Sequence, residues 1–254
     1  GTDVHAPIVI SNAGVFNTFN RLVPSELVDK TSYARRLNKV RPSMANLSLY
    51  IGLQDTSENL KLPKTNLWIY PSERYEQEID KFMDDPEQDF PLVYISFPSA
   101  KDPTFNERYP NRSTIEIVAP CPWEWVQQWA DKPWGKRGDD YEALKERFAQ
   151  RLLEKLYEKL PHLRGKIDYY ELATPLSTQF FCWYAKGEIY GLDHDPQRFE
   201  QNWLRPKTEI EGLYLTGQDI MTCGVVGAMI GGLMTAVTIG GVKALPLAKK
   251  IFVG

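Results

Sequence analysis

The first apolar run of the chain is short and unbroken. Residues 7–14 read PIVISNAG, the pattern of a strand buried on both faces of a parallel sheet and ended by turn residues. From residue 43 the pattern changes to alternating, aromatic-rich runs at 45–53 (ANLSLYIGL), 66–70 (NLWIY), 92–97 (LVYISF) and 113–119 (STIEIVA), separated by loops rich in Pro, Asp and Asn. These predict four strands of a mostly antiparallel sheet, and 166–173 (KIDYYELA) alternates again and adds a fifth. Over 139–160, Tyr141, Leu144, Phe148, Leu152, Leu156 and Leu160 recur at helical spacing with charged residues on the other faces, so an amphipathic cover helix is expected. The Trp-rich stretch 123–134 reads as a partly buried helix and turn.

A second buried-type strand follows at 212–217 (GLYLTG), and then a Gly-rich apolar stretch. The order is therefore buried strand, antiparallel insert, buried strand with helix. A domain interrupted by an insertion has this order, with first and last segments belonging together. The expected segments are 1–25, 26–175 and 176–254, in a chain that combines α/β with α+β character.

Composition narrows the class without naming it. With 254 residues, 43% hydrophobic and 25% charged, the chain is neither a disordered tail nor a collagen nor a small disulfide scaffold. Its 30 Lys+Arg against 33 Asp+Glu leave a formal charge of -3, so no overall positive field is available for nucleic acid. Cys121, Cys182 and Cys223 are widely spaced, with no CxxC pair; this suits a reducing, cytoplasmic setting and predicts no metal site. The chain begins at Gly1 and passes almost directly into a strand, without the apolar core of a signal peptide, so the start reads as cut.

Residues 212–242 carry the candidate chemistry, and they admit more than one physical account. From Ile220 to Val242 there is no charged side chain, and Gly227 with Gly231 forms a GxxxG pair, as in a membrane span. A non-catalytic or membrane-tethered module anchored by this helix follows from that account. A buried core helix with no ligand is another. In the third, Leu213–Thr216 is a strand, Gly217 makes the turn, Thr222 is the N-cap, and a helix begins near Cys223. Gly224 and Gly227 then let a ligand approach the first turns, where unpaired N–H groups and the helix dipole favour a phosphate, a carbonyl oxygen or an anionic ring. Asp219 is placed to accept hydrogen bonds from ribityl or ribose hydroxyls. Six glycines and the polar Gln218 and Asp219 at the mouth favour this account over the span.

The residues Gly212-Leu-Tyr-Leu-Thr-Gly-Gln-Asp219 and Thr222-Cys-Gly-Val-Val-Gly-Ala-Met-Ile-Gly-Gly232 resemble the C-terminal flavin motif of the retinol saturase, carotenoid isomerase and phytoene desaturase family of FAD-dependent oxidoreductases. Ile10-Ser-Asn-Ala-Gly14, Ala173-Thr-Pro-Leu-Ser177 and Ile189-Tyr-Gly-Leu-Asp-His194 agree with it in order and spacing. The resemblance implies a partial glutathione-reductase-like FAD-binding domain with an inserted, mostly antiparallel substrate domain. It implies a hydrophobic polyene as substrate, saturated, desaturated or isomerised, and FAD as cofactor. Gly217, Asp219, Gly224, Val225, Val226 and Gly227 become its cofactor-binding residues, with Asp219 facing the ribityl chain and the backbone of 224–227 facing the diphosphate or flavin edge. It assigns no catalytic side chain.

One departure is large: no two glycines lie two residues apart, so the N-terminal GxGxxG of the family is absent. The expectation is a C-terminal part of a longer enzyme, lacking the other half of its FAD domain and inactive alone. Among other residues, Phe180, Phe181, Trp183 and Tyr184 are candidates for lining a polyene channel or for ordinary packing. His194 reads as a polar turn residue, Cys223 as a small packing residue, and Arg35, Arg36, Lys39 and Arg41 as a solvated face or a peripheral contact with lipid headgroups.

Overall fold

The structure is a computed structural model and describes residues 1–244, 246, 249 and 250. The end of the third expected segment, at 245, 247, 248 and 251–254, lies outside the described residues. The chain divides into two compact units, one of residues 44–187 and one of residues 1–43 with 188–254. The divisions fall later than the expected 25/26 and 175/176. Val28, Tyr33 and Leu37 pack with Val15, Phe19, Leu213 and Leu215, which keeps residues 26–43 with the terminal segments.

The 44–187 unit is a five-stranded antiparallel sheet, formed by β2 (Asn46–Leu53), β3 (Leu67–Ile69), β4 (Val93–Ser96), β5 (Ser113–Pro120) and β6 (Ile167–Ala173) in the order β3-β4-β5-β2-β6. All five strands stand where alternation predicts them. The alternation is literal in β5, where Ser113, Ile115, Ile117 and Ala119 are buried and the residues between them are not. The inward face meets α2 (Asp139–Lys159) through Phe148, Leu152, Leu153 and Leu156. Burying each such side chain contributes about 1.5–3 kcal/mol. Asp139, Asp140 and Glu142 sit in the first turn of α2, where they favour its dipole, and Pro161 follows its end.

Periodicity had not marked α1 (Tyr75–Asp84), where Phe82 is the buried residue and reaches Phe90 and Trp125. The Trp-rich stretch forms two short 3-10 turns, Trp123–Trp125 and Gln127–Trp129, in place of the expected helix. Helix α3 (Pro175–Cys182) begins with a capping box, in which Thr174 and Ser177 exchange hydrogen bonds, and with Pro175 at a position that needs no N–H donor.

The second unit holds β1 (Val9–Ser11) and β7 (Leu213–Leu215), paired in parallel with Val9 opposite Leu213 and Ser11 opposite Leu215. The two strands lie about two hundred residues apart along the chain, and among the described residues no other strand joins their sheet, only an isolated bridge from Lys207 to Tyr214. Leu213 and Leu215 are buried, but Ile8, Val9 and Ile10 are 43%, 54% and 52% exposed. This corrects the expectation of a first strand covered on both faces: with one neighbour only, its apolar side chains have no layer to pack into.

Helix α4 (Gly224–Gly240) follows β7 and lays a stripe of small residues, Gly227, Gly231 and Thr235, toward it. A Cβ at Gly231 would overlap the Gly217 carbonyl oxygen. Thr235 donates its hydroxyl to the Leu215 carbonyl at 2.8 Å. Helix and strand end therefore touch backbone to backbone. Among the described residues, no helix is long and apolar enough to cross a membrane; α4 has 17 residues, fewer than the 220–242 run suggested.

Candidate functional site

The turn between β7 and α4 is the most elaborately held segment of its unit. Gly217 has φ +87°, and a Cβ there would overlap the Asn12 amide oxygen, so glycine lets residues 12 and 217 meet. Residues Gln218–Ile220 form a single 3-10 turn. Asp219 is buried within it and both of its carboxylate oxygens are engaged: Oδ2 accepts from the Val15 amide at 2.8 Å, and Oδ1 from the Leu192 amide at 3.2 Å. Its carboxylate thus joins three segments far apart in sequence. Burial raises its pKa above the ordinary carboxylate value, and the two amides, then Arg198 and His194, oppose that rise.

Arg198 grips the same turn from the other side. It lies in the short helix Pro196–Phe199, which Asp195 caps by accepting from the Arg198 amide at 2.8 Å. The Arg198 Nη2 donates to three turn carbonyls, Gln218 at 2.8 Å, Asp219 at 3.3 Å and Met221 at 3.1 Å. Its Nε and Nη1 are buried and have no hydrogen-bond partner among the described residues. Burial lowers the guanidinium pKa, while Asp219 is first among the charges that hold it up.

The helix begins one residue later than the sequence suggests. Cys223, not Thr222, is the N-cap, in extended conformation, and no side chain caps the first turn. The Thr222 carbonyl is instead tucked against Gly227, where a Cβ would collide with it. The Cys223 amide donates to His194 Nε2 at 2.8 Å. The amides of Gly224, Val225 and Val226 are those an α-helix leaves without intrahelical acceptors. All three residues are exposed, Val225 by 87% and Val226 by 63%. Gly224, at φ +86°, faces open space.

The structure therefore brings Gly217, Asp219 and 224–227 into one turn, with different geometry at each. Residues 224–226, whose amides lack intrahelical acceptors, are exposed, while the Asp219 carboxylate is buried on two amides of its own chain. Sequence reasoning missed Arg198, Gly191 and the use made of His194. A Cβ at Gly191, which has φ +67°, would overlap the Asp219 carboxylate. Asp195-Pro196 is a helix-start signature that locates Arg198 in a helical turn, but nothing in spacing signals that it buries its charge on carbonyls.

The other singled-out residues lie elsewhere. In the 44–187 unit, Phe180 and Phe181 meet Trp134 with ring centroids 5.1 and 4.7 Å apart, and all three are exposed. Trp183 is exposed too, in left-handed conformation at the end of α3. Of the four cations at 35–41, Arg36 pairs with Glu209 at 2.7 Å and Arg41 with Asp193 at 2.7 Å, which removes half the charge proposed for headgroups. Among the described residues, no group of His, Cys, Asp or Glu is arranged to hold a metal.

No protein-family model matches the chain. It is 38% identical over 239 residues to all-trans-retinol 13,14-reductase of Rattus norvegicus, covering 91% of this chain and 39% of that protein. A relative of the same name from Danio rerio is 36% identical over 263 residues, covering 98% and 43%. Phytoene desaturase of Neurospora crassa is 25% identical over 215 residues, covering 84% and 34%. The chain spans about two fifths of the length of the curated relatives it matches best among these. By these matches, of which the Danio rerio one covers 98% of the chain and with it the strand, turn and glycine-rich helix described above, the chain belongs to the retinol saturase, carotenoid isomerase and phytoene desaturase family.

Proposed function

We propose that the chain is part of an FAD-dependent oxidoreductase that saturates, desaturates or isomerises double bonds of a retinoid or carotenoid-like polyene. The observation that carries this reading is the uncapped, exposed first turn of α4 on a rigidly held β7 turn. The fit to a dinucleotide rests on two features of that turn. Gly224 leaves open space where any side chain would stand, and the donors of 224–226 point to an acceptor outside the helix.

The flavin, when bound, supplies hydride or electron transfer at the double bond. The chain's own residues do the holding. Backbone amides of Gly224, Val225 and Val226 bind acceptor oxygens of the diphosphate or the flavin edge, Gly227 keeps the first turn close to the Thr222 carbonyl, and the dipole of the 17-residue helix strengthens the binding. Exposed Val225 and Val226 keep water from that edge. Gly217 and Gly231 set the depth of the turn by close backbone approach. Asp219, expected at the ribityl hydroxyls, is occupied by two amides and serves the site by fixing the turn. Trp134, Phe180 and Phe181 offer apolar ring surface to a polyene. The absence of GxGxxG supports a site that is completed by residues outside these 254 and inactive without them.

A chimera tests the reading. The region of the rat relative that aligns over 239 residues is replaced by this chain's, and the purified product is examined for flavin absorbance and for conversion of a polyene panel. Bound flavin and an altered polyene double bond are expected. A folded, monodisperse chimera without flavin overturns it.

A further inference from the structure

His194 has a role in the candidate site that neither its sequence context nor the flavin reading assigns. Its Nε2 accepts the Cys223 amide at 2.8 Å, so this nitrogen carries no proton and the neutral ring must hold its proton on Nδ1. The His194 backbone amide is itself fixed, donating to Asp193 Oδ1 at 2.8 Å. Cys223 is the N-cap of α4 and has no side-chain cap of its own. Among the described residues, the imidazole is thus the side chain that satisfies a donor at the start of this helix.

We infer that His194 is a positioning residue for the β7–α4 turn: as the neutral Nδ1–H tautomer it fixes the Cys223 amide and the start of α4, and protonation of Nε2 releases that hold. A proton on Nε2 would leave two N–H groups facing each other across a hydrogen-bond distance. The effect on a cofactor rests on the flavin reading; the hold on the amide does not.

The groups around the ring set the direction of its titration. Asp193 and Asp195 lie beside it in sequence, and Arg41 bridges them at 2.7 and 3.3 Å. Arg198 and Asp219 face it from the short helix and the turn, and Phe199 stands edge-on at 6.1 Å. Burial is the largest influence and lowers the imidazole pKa below its ordinary value, with Arg198 adding to it; a backbone hydrogen bond with Leu192, then Asp193 and Asp219, oppose. The neutral, holding form therefore prevails at neutral pH and is lost only on acidification. Arg198 on three carbonyls and Asp219 on two amides hold the rest of the turn independently, so removing the imidazole frees the helix start without unfolding the unit.

The test uses the 254-residue chain labelled with 15N-histidine, in which only His5, His162 and His194 give signals. The expected result for His194 is the Nδ1–H tautomer with a titration midpoint below 6.5. An Nε2–H tautomer, or a midpoint at or above 6.5, overturns the inference. Hydrogen exchange of the Cys223 amide is then compared in wild type, His194→Ala and His194→Gln. Protection should fall about tenfold in His194→Ala, the loss of one hydrogen bond. His194→Gln, which keeps an acceptor and has no proton to gain, should retain it as pH is lowered through the measured His194 midpoint, where wild type loses it. Unchanged protection in His194→Ala overturns the inference. Flavin content of the chimera at pH 8 and pH 5 separates the two proposals: no flavin at either pH, with tautomer and exchange results as expected in the 254-residue chain, sinks the flavin reading and leaves the positioning role standing.

Discussion

The two units solve the problem of covering apolar strands in different ways. In the 44–187 unit each central strand has two partners, and α2 covers the inward face, leaving Leu47, Leu49, Ile117 and Leu152 wholly buried. In the other unit, β1 has one partner, and its Val9 and Ile10, with Ile8 just before it, are exposed. Helix α4 is apolar nearly all round, yet only its small-residue stripe is buried. A helix of that kind ordinarily lies inside a core. One unit is thus held by side-chain volume and the other by backbone proximity and polar ties, and substitutions should affect them differently.

The largest effect is expected where volume matters most. Phe148 lies between Phe90 and Trp125, with centroids 6.2 and 5.9 Å away. Phe148→Ala should cost about 3–5 kcal/mol, read by hydrogen exchange as lost protection in β2 and β5. An equal loss in β7 would break the comparison, because the units would then unfold as one. Smaller, and in the other unit, is the effect of adding one carbon. Gly231→Ala pushes a methyl into the Gly217 carbonyl and should cost about 1–3 kcal/mol. Gly232→Ala, one residue on, has only the Thr216 hydroxyl at 3.9 Å and should be tolerated. Equal costs for the two would refute close backbone approach as the basis of α4 packing.

Acid should weaken the β1–β7 unit through His194. Its folded pKa lies below the ordinary value, so the unfolded chain binds the proton more readily. The stability held by the neutral ring is complete above about pH 6.5 and declines as pH falls through the folded pKa. Asp219 has a raised folded pKa and works the opposite way, its contribution declining as pH rises from about 3.8 through that value. Urea midpoints between pH 5 and pH 8 should therefore rise with pH in wild type and flatten in His194→Gln. An unchanged slope in that variant would remove His194 as the cause.

Sequence periodicity reads the sheet unit well because its strands have a dry face and a wet one, so alternation is imposed by packing. It misreads β1 for the converse reason: a continuous apolar run signals a strand meant for two layers, and cannot signal which layers are present. In α1 only Phe82 is buried, and one apolar residue makes no period. In the candidate site, the placing of Gly217, Asp219 and Gly224–Gly227 at one strand–helix junction is legible in the glycine spacing, but the use of Asp219 is not: its carboxylate is taken by the Val15 and Leu192 amides instead of facing outward. The roles of His194 and Arg198 are not legible. Each is defined by a contact with a segment twenty or more residues away in sequence, His194 with Cys223 and Arg198 with carbonyls between 218 and 221.

The smallest stability effect is expected where the comparison makes its sharpest claim, on the exposed side of α4. Val225 is 87% exposed and touches nothing that its loss would empty. Val225→Ser should change stability by no more than about 0.5 kcal/mol, and Val9→Thr, on the open face of β1, by a similar amount. Both should nevertheless reduce binding of an apolar dye, since each removes hydrocarbon from a surface that these residues leave uncovered. In the sheet unit the pattern should invert: Leu152→Ala, wholly buried, costs about 2–5 kcal/mol and leaves dye binding by the folded protein unchanged. If Val225→Ser is costly, the outer face of α4 is packed in solution by something of this chain, and the contrast between a unit closed by volume and one closed by polar ties fails.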